Sequence, residues 1–251
     1  MQSTIYYLLN KIFMNEVEDE ILKYLKKGDK TVFDIGCFRG GFTKNFIKNE
    51  KKLGIKSNFY LFDPNPITKD YLKTILQNEK IKYFNLALDN SNSQKKFYLN
   101  NFFEPSGSSL NTTFRDDKKW KNTRKIFMQI FQPFKKIGDF AEINVQTKTL
   151  DDFCLDEKIE NIDVLKMDTE GSELNILKGA IKLLSENKIN VIYTEISDTK
   201  KNFTKKEKYI INFLNSYGFE LKKKYPVRSL SILSGLKATD NLFVNRNLIL
   251  G

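Results

Sequence analysis

The chain has 251 residues, 40% of them hydrophobic, with 21 Phe and 11 Tyr spread along its length, which is enough apolar material for a buried core and excludes a disordered chain. Two cysteines, Cys37 and Cys154, are too few for a disulfide framework and stand at no metal-ligand spacing; the absence of histidine removes every imidazole base, every His-assisted nucleophile and every His-ligated metal site. The net charge of +11 rests on 42 basic residues, of which only Arg39, Arg115, Arg124, Arg228 and Arg246 are arginine, so it reads as a scattered lysine surface and nucleic acid is not the expected partner.

The elements follow in chain order. The opening apolar run, residues 5–9, is interrupted by Asn10 and Lys11, lacks a small-residue cleavage site, and is expected to be neither a signal nor a membrane span. No later stretch approaches the roughly 18–20 apolar residues a span needs, so a soluble, cytoplasmic protein with reduced cysteines is expected. Val17, Ile21 and Leu25 recur at helical spacing over 15–26, with Gly28 placed to end that helix. TVFDI (31–35) reads as a strand running into Gly36, Gly40 and Gly41, and Phe42, Phe46 and Ile47 mark the next helix. NFYLF (58–62) is a second strand ending at Asp63-Pro64; a helix through Tyr71, Leu72, Ile75 and Leu76 follows, then a third strand over 81–88. This alternation implies right-handed crossovers and a mostly parallel sheet with helices on both faces.

Residues 89–142 are irregular and longer than an ordinary connection, as binding loops and lids often are. Within them KKFYLN reads as a strand that pairs antiparallel with INVQTKTL (143–150). The alternation resumes with DVLKM (163–167), a helix carrying Leu174, Leu177, Ile181 and Leu184, and a strand over 189–196. Thr204 and Glu207 have the spacing of a capping box opening another helix, and FELKKK (219–224) and NLFVN (241–245) are the closing strands. No linker or internal repeat divides the chain, so one domain is expected.

Three segments concentrate chemistry. DIGCFRGG sets Asp34 at the end of the first strand and Gly36 and Gly40 in a turn before a helix, where free amides and positive φ let a ligand approach; a glycine turn without a ligand is the plainer alternative. Asp63 ends the second strand, the position from which an acid holds the ribose of a nucleotide cofactor in doubly wound folds, or it merely caps a turn before Pro64. In LKMDTEGSELNILKGA (165–180), strand alternation puts Lys166 and Asp168 on one side, and Asp168, Glu170 and Glu173 gather where open α/β sheets bind ligands. Such acids need a cation, a metal or shared protons, unless Glu170 and Glu173 only favour a helix N-terminus. Lys166 in a buried strand needs a partner, either Asp34 or Glu195, and Glu195 lies either at the site or in that ion pair. An acid within the first strand end, instead of a pyrophosphate-cradling turn, points to a cofactor with an ammonium and a carboxylate, such as S-adenosylmethionine.

VFDIGCFRGGFT, YLFDPNP, NLALDN, TLDDF, VLKMDTEGSELNILKGA, VIYTEI and DNLFVN together resemble the FkbM family of methyltransferases, from about residue 31 to 245, most specifically in LKMDTEGSE. The resemblance implies a Rossmann-like class I methyltransferase fold using S-adenosylmethionine, and O-methylation of hydroxyls on sugars and other small secondary-metabolite or glycan acceptors. On that basis residues 1–30 are an N-terminal helical segment and 31–251 one methyltransferase domain, with 89–142 an insertion that covers the acceptor. Asp34, Gly36, Cys37, Phe38 and Gly40 would line the methionine end of the cofactor, Asp63 and Pro64 the ribose, and Asn85, Ala87 and Leu88 the adenine, with Asp168 and Glu170 facing the methyl group and acceptor. Cys37-Phe38 stands where the family often has Ala-Asn, and Asp63 where it often has Glu.

With no histidine present, Asp168 or Glu170 is the expected base for the acceptor hydroxyl, and Lys166 orients or neutralises them. Ser106, Ser108 and Ser109 are expected over the acceptor pocket. Asp168, Glu170 and Glu195 are also an oxygen set of the kind that holds Mg²⁺, although no metal is required. Two other readings stay open: a ribose 2′-O RNA methyltransferase using Lys166, Asp168 and Glu195, and a non-catalytic module binding a nucleoside or a partner through Trp120, Ile126, Phe127, Phe131 and Phe134.

Overall fold

The computed structural model describes residues 17–99, 108–110, 141–226 and 236–249. Trp120, the aromatic 126–134 segment and Ser106 lie outside them. A seven-stranded sheet forms the centre, in the order β3-β2-β1-β7-β8-β10-β9: β1 Gly28–Ile35, β2 Ile55–Phe62, β3 Ile81–Phe84, β7 Ile162–Met167, β8 Ile189–Thr199, β9 Phe219–Pro226 and β10 Leu236–Asn245. The pairs from β3 to β8 are parallel, and β10 runs antiparallel to both neighbours. Strands on both sides of the β1/β7 junction leave in opposite directions along the sheet, which opens a crevice at their carboxyl ends.

The buried parallel strands carry apolar side chains on both faces, and so build two cores. Phe33, Leu165, Ile192 and Phe243 pack on one face against Leu150, Phe153, Ile176, Leu177, Phe203, Ile210 and Leu214. Val32, Val164, Val191 and Leu242 pack on the other against Val17, Ile21, Leu22, Phe42 and Phe46. A small second sheet, order β4-β6-β5, stands at the carboxyl edge: β4 Ala87–Leu88, β5 Ser93–Leu99 and β6 Ala141–Lys148. Its β5–β6 pair is antiparallel, as the alternating patterns predicted.

Four local expectations are corrected. Gly28, with φ of 109°, begins β1, while the helix preceding it has already ended near residue 22. The expected third strand splits: 81–84 stay in the main sheet, and 87–88 cross to pair with β6, because Asp89 N–H donates to the Lys148 carbonyl. The apolar stripe 174–184 belongs to two short helices, Glu173–Lys178 and Ile181–Ser185. Gly179 between them sits so close to Asp89 that a Cβ would lie 2.2 Å from its carbonyl oxygen. Thr204 opens nothing, since helix Lys200–Ser216 begins a turn earlier; Glu207 instead accepts from Thr239 and pairs with Lys224.

Candidate functional site

Loops far apart in sequence meet at the carboxyl edge of β1, β2 and β7, around one cavity. Of the residues expected there, Gly36, Phe38, Asp63, Pro64, Ala87, Leu88, Asp168 and Glu170 line it. Gly36 follows β1 with φ of 72°, and a Cβ on it would fall 1.9 Å from the Asp168 carbonyl oxygen, so only glycine lets these two loops close on each other. Its N–H and that of Cys37 donate to the Phe62 carbonyl at 2.9 and 3.2 Å, which ties the end of β1 to the end of β2. Phe38 is held at φ of 42° by donating its N–H to Asp63 Oδ2 at 3.0 Å, and its ring meets Tyr71 edge-on beneath the Arg39 guanidinium.

Asp63 is 7% exposed; its other oxygen accepts from Asn65 N–H at 2.9 Å. Burial pushes its carboxyl up to about 6 against the pull of those amides. Tyr83 and Asn85 donate to the Asp63 carbonyl, so Asn85 steadies this corner from outside the cavity lining.

Asp34, Cys37, Gly40 and Lys166 lie beneath or beside the cavity and not in its lining. Asp34 is fully buried; Thr43 donates to it at 2.8 Å and Lys166 Nζ stands 3.0 Å from its other oxygen. This settles the lysine's partner: Lys166 also donates to the Gly36 carbonyl at 3.0 Å and reaches Asp168 at 3.8 Å, and Glu195 is not among its partners. Burial alone would lower the ammonium's pKa, but the Asp34 and Asp168 charges outweigh it and raise it. Cys37 is buried with its thiol pushed well above the ordinary value, so it contributes backbone to the site. Gly40 begins helix Gly41–Glu50 and is covered by Leu72 and Ile75.

Asp168 is the open end of this arrangement, with 47% of its side chain exposed. Partial desolvation by the protein around it raises its pKa, Lys166 opposes the rise, and Glu173 and Asp34 add to it.

The loop that carries Asp168 is braced from three directions. Glu173 is completely buried: its Oε1 accepts from the N–H groups of Thr169 and Gly171 and from the Thr169 hydroxyl, at 2.9 to 3.1 Å, while Lys206 approaches Oε2 at 3.7 Å. It is therefore a strut of the loop and not a member of an acidic site. Lys206 donates to the Gly171 and Ser197 carbonyls. Ser109, bridged to Tyr98, donates to the Thr169 and Glu170 carbonyls at 3.2 and 3.0 Å, so the second sheet is tied to this loop. The brace holds Glu170 at φ of 55°.

Ser108 of the serine run lines the cavity and Ser109 does not, while Phe62, Phe97, Leu110, Thr169 and Ser172 line it without having been singled out from the sequence. Only the apolar character of Phe62 and Phe97 was visible there. Among the described residues no three Cys, Asp or Glu side chains converge as a metal site.

A seven-stranded α/β sheet with this strand order and a ligand crevice over the β1/β7 junction defines the class I methyltransferase fold. The Methyltransferase FkbM domain model matches residues 34–221, and the chain belongs to that family. It is a methyltransferase. It is 27% identical over 190 residues to the 2-O-methyltransferase NoeI of Sinorhizobium fredii, covering 73% of this chain and 70% of that one. A crystal structure of Methyltransferase FkbM from Methylobacillus flagellatus KT superposes with a TM-score of 0.51 at 16% identity, over 88% of this chain. The present chain spans 45% of that protein's length, so the likeness concerns the fold. No helix among the described residues is long and apolar enough to cross a membrane.

Proposed function

We propose that the chain transfers a methyl group from S-adenosylmethionine to a hydroxyl of a sugar or another small secondary-metabolite or glycan acceptor. The observation that carries this reading is the meeting of Gly36, Asp63 and Asp168 around one cavity at the sheet's carboxyl edge, within the stretch matched by the family. The 2-O-methyltransferase relative supports oxygen as the acceptor atom. The residues suit the donor: a glycine turn with no room for a side chain, a buried carboxylate at the tip of β2, and apolar Phe62, Ala87 and Leu88 beside it. Gly36, Phe38, Asp63, Pro64, Ala87 and Leu88 would hold it, and when bound it supplies an electrophilic methyl group on a sulfonium.

The chain's own part is to align the acceptor, exclude water and take a proton. We assign that proton to Asp168, whose carboxyl opens into the cleft and whose pKa is raised by its surroundings, the direction that makes a carboxylate a better base, with Glu170 also lining the cavity. Lys166, anchored on Asp34 and Gly36, fixes the floor under Asp168. We read 31–251 as one catalytic domain behind a helical segment, with the 89–142 insertion as the acceptor cover, working in the cytoplasm.

Calorimetry with S-adenosylmethionine and S-adenosylhomocysteine tests the donor, and labelled methyl transfer to a saccharide panel tests the acceptor. Asp168→Asn should lower turnover by about 10²–10⁴-fold while donor affinity stays within about threefold. Near-normal turnover in both Asp168→Asn and Glu170→Gln would overturn the base; no donor binding to the unaltered protein would overturn the donor.

A further inference from the structure

The lining of the cavity follows the order of the strands beneath it. Leu86, Ala87 and Leu88 come after β3, Phe62 and Asp63 stand at the tip of β2, Ile35 and Gly36 at that of β1, and Asp168 past β7. Neighbouring strands are about 4.8 Å apart, so these groups are successive stations along the rim and not one point. S-adenosylmethionine has its parts in a matching order: a purine, a ribose, then a sulfonium carrying the methyl group and the amino-acid chain. With the ribose on Asp63 and the methyl toward Asp168, the purine falls on the β3 side of Asp63, over residues 86–88.

That end of the cavity has a second wall, supplied by the small sheet. Tyr98 on β5 and Ser109 exchange both backbone hydrogen bonds: the Tyr98 N–H donates to the Ser109 carbonyl at 3.0 Å, and the Ser109 N–H to the Tyr98 carbonyl at 3.2 Å. This antiparallel bridge sets Phe97 directly opposite Leu110, as a cross-strand pair whose side chains share one face. Both line the cavity. Phe97 belongs with Ala87 and Val145 to one apolar cluster, and Leu110 packs against it, so the pair stands beside the stretch that follows β3. Neither side chain offers a partner to a hydroxyl or a charge, whereas an aromatic base needs apolar surface against its ring. The strip is fixed by Ser109, whose hydroxyl donates to the Thr169 and Glu170 carbonyls.

We propose that Phe97 and Leu110 form the seat of the donor's purine ring, so that β5 and the 108–110 strip, which are parts of the insertion, serve donor recognition. The inference rests on the S-adenosylmethionine reading above. It adds two donor-binding residues that lie outside the loops of the parallel strands, and it gives the insertion a task besides covering the acceptor. Because Ser109 stands next to Leu110 and holds the loop after Asp168, the purine seat and the proposed base share one support.

Calorimetry with S-adenosylhomocysteine on the unaltered protein, Leu110→Ala and Phe97→Ala measures the seat. Leu110→Ala should weaken binding about three- to tenfold, and Phe97→Ala at least about tenfold. Phe97 also belongs to a small core, so if its variant fails to fold, the half-buried Leu110 decides. A second measurement reads the contact itself. In protein with methyl-labelled leucine, the resonances that vanish in Leu110→Ala should show nuclear Overhauser effects to the purine ring protons of bound S-adenosylhomocysteine. Unchanged affinity in Leu110→Ala, or no Overhauser effect between those methyls and the purine, would each overturn the proposal. Failure of S-adenosylhomocysteine to bind the unaltered protein would instead overturn the donor reading on which it rests.

Discussion

Asp34 stands near the end of β1 and Asp168 just past the end of the neighbouring β7, and the two share Lys166, yet the two regions they mark are built on opposite terms. Around Asp34 every charge is answered: Thr43 and Lys166 take its oxygens, and the lysine's remaining reach goes to the Gly36 carbonyl. Around Asp168, Glu195 and Asp240 acids crowd acids and remain half open. The first arrangement is what a fold needs to carry charge through its core; the second leaves the Asp168 carboxyl partly open at the cavity.

The largest expected effect breaks the compensated side. Lys166→Met should strand the buried Asp34 charge and cost about 3–5 kcal/mol of stability, read as a lower urea midpoint. Gly36→Ala drives the two regions apart, because its methyl would meet the Asp168 carbonyl at a backbone angle unsuited to alanine. A loss of about 2–4 kcal/mol and at least tenfold weaker S-adenosylhomocysteine binding should follow, by denaturation and calorimetry.

Glu18→Gln probes, through pH, a buried acid on the helical stretch near Asp34. Burial raises the Glu18 pKa from 4.5 to about 8, so the folded state holds its proton more tightly than the unfolded chain does. That contribution is complete below about 4.5 and is lost as pH rises through about 8. The glutamine variant should therefore match the parent near pH 4.5 and exceed it by about 1–3 kcal/mol at pH 8.5, in denaturant titrations at several pH values. Ser109→Ala has the smallest expected effect, about 1 kcal/mol, since it removes one hydroxyl shared between the Thr169 and Glu170 carbonyls; thermal melting measures it.

The strands themselves were legible where apolar runs were short and bounded by glycine or Asp-Pro, as at 31–35, 58–62 and 163–167, because buried parallel strands announce themselves that way. The break inside 81–88 was not legible: both halves are apolar, and only the competing edge of β6 decides where one strand ends. The same holds at 174–184, where a continuous apolar stripe hides the contact that Gly179 makes with Asp89. In the site, the acids at strand ends could be picked out by type and position. Their division of labour could not. Glu173 looks identical to Glu170 in the sequence, and becomes a strut only because three backbone and side-chain donors of a folded loop point at it.

From its residues alone this chain determined a mostly parallel α/β sheet and a crevice over its carboxyl edge, since hydrophobic period and turn chemistry act over a few neighbouring residues. Which acids are neutralised within the fold and which stay open at the cavity was decided by the tertiary structure. That outcome depends on the register of four strands, which places Lys166 beside Asp34 and Asp240 beside Glu195, and electrostatic energy is set by distances through space that chain order does not contain.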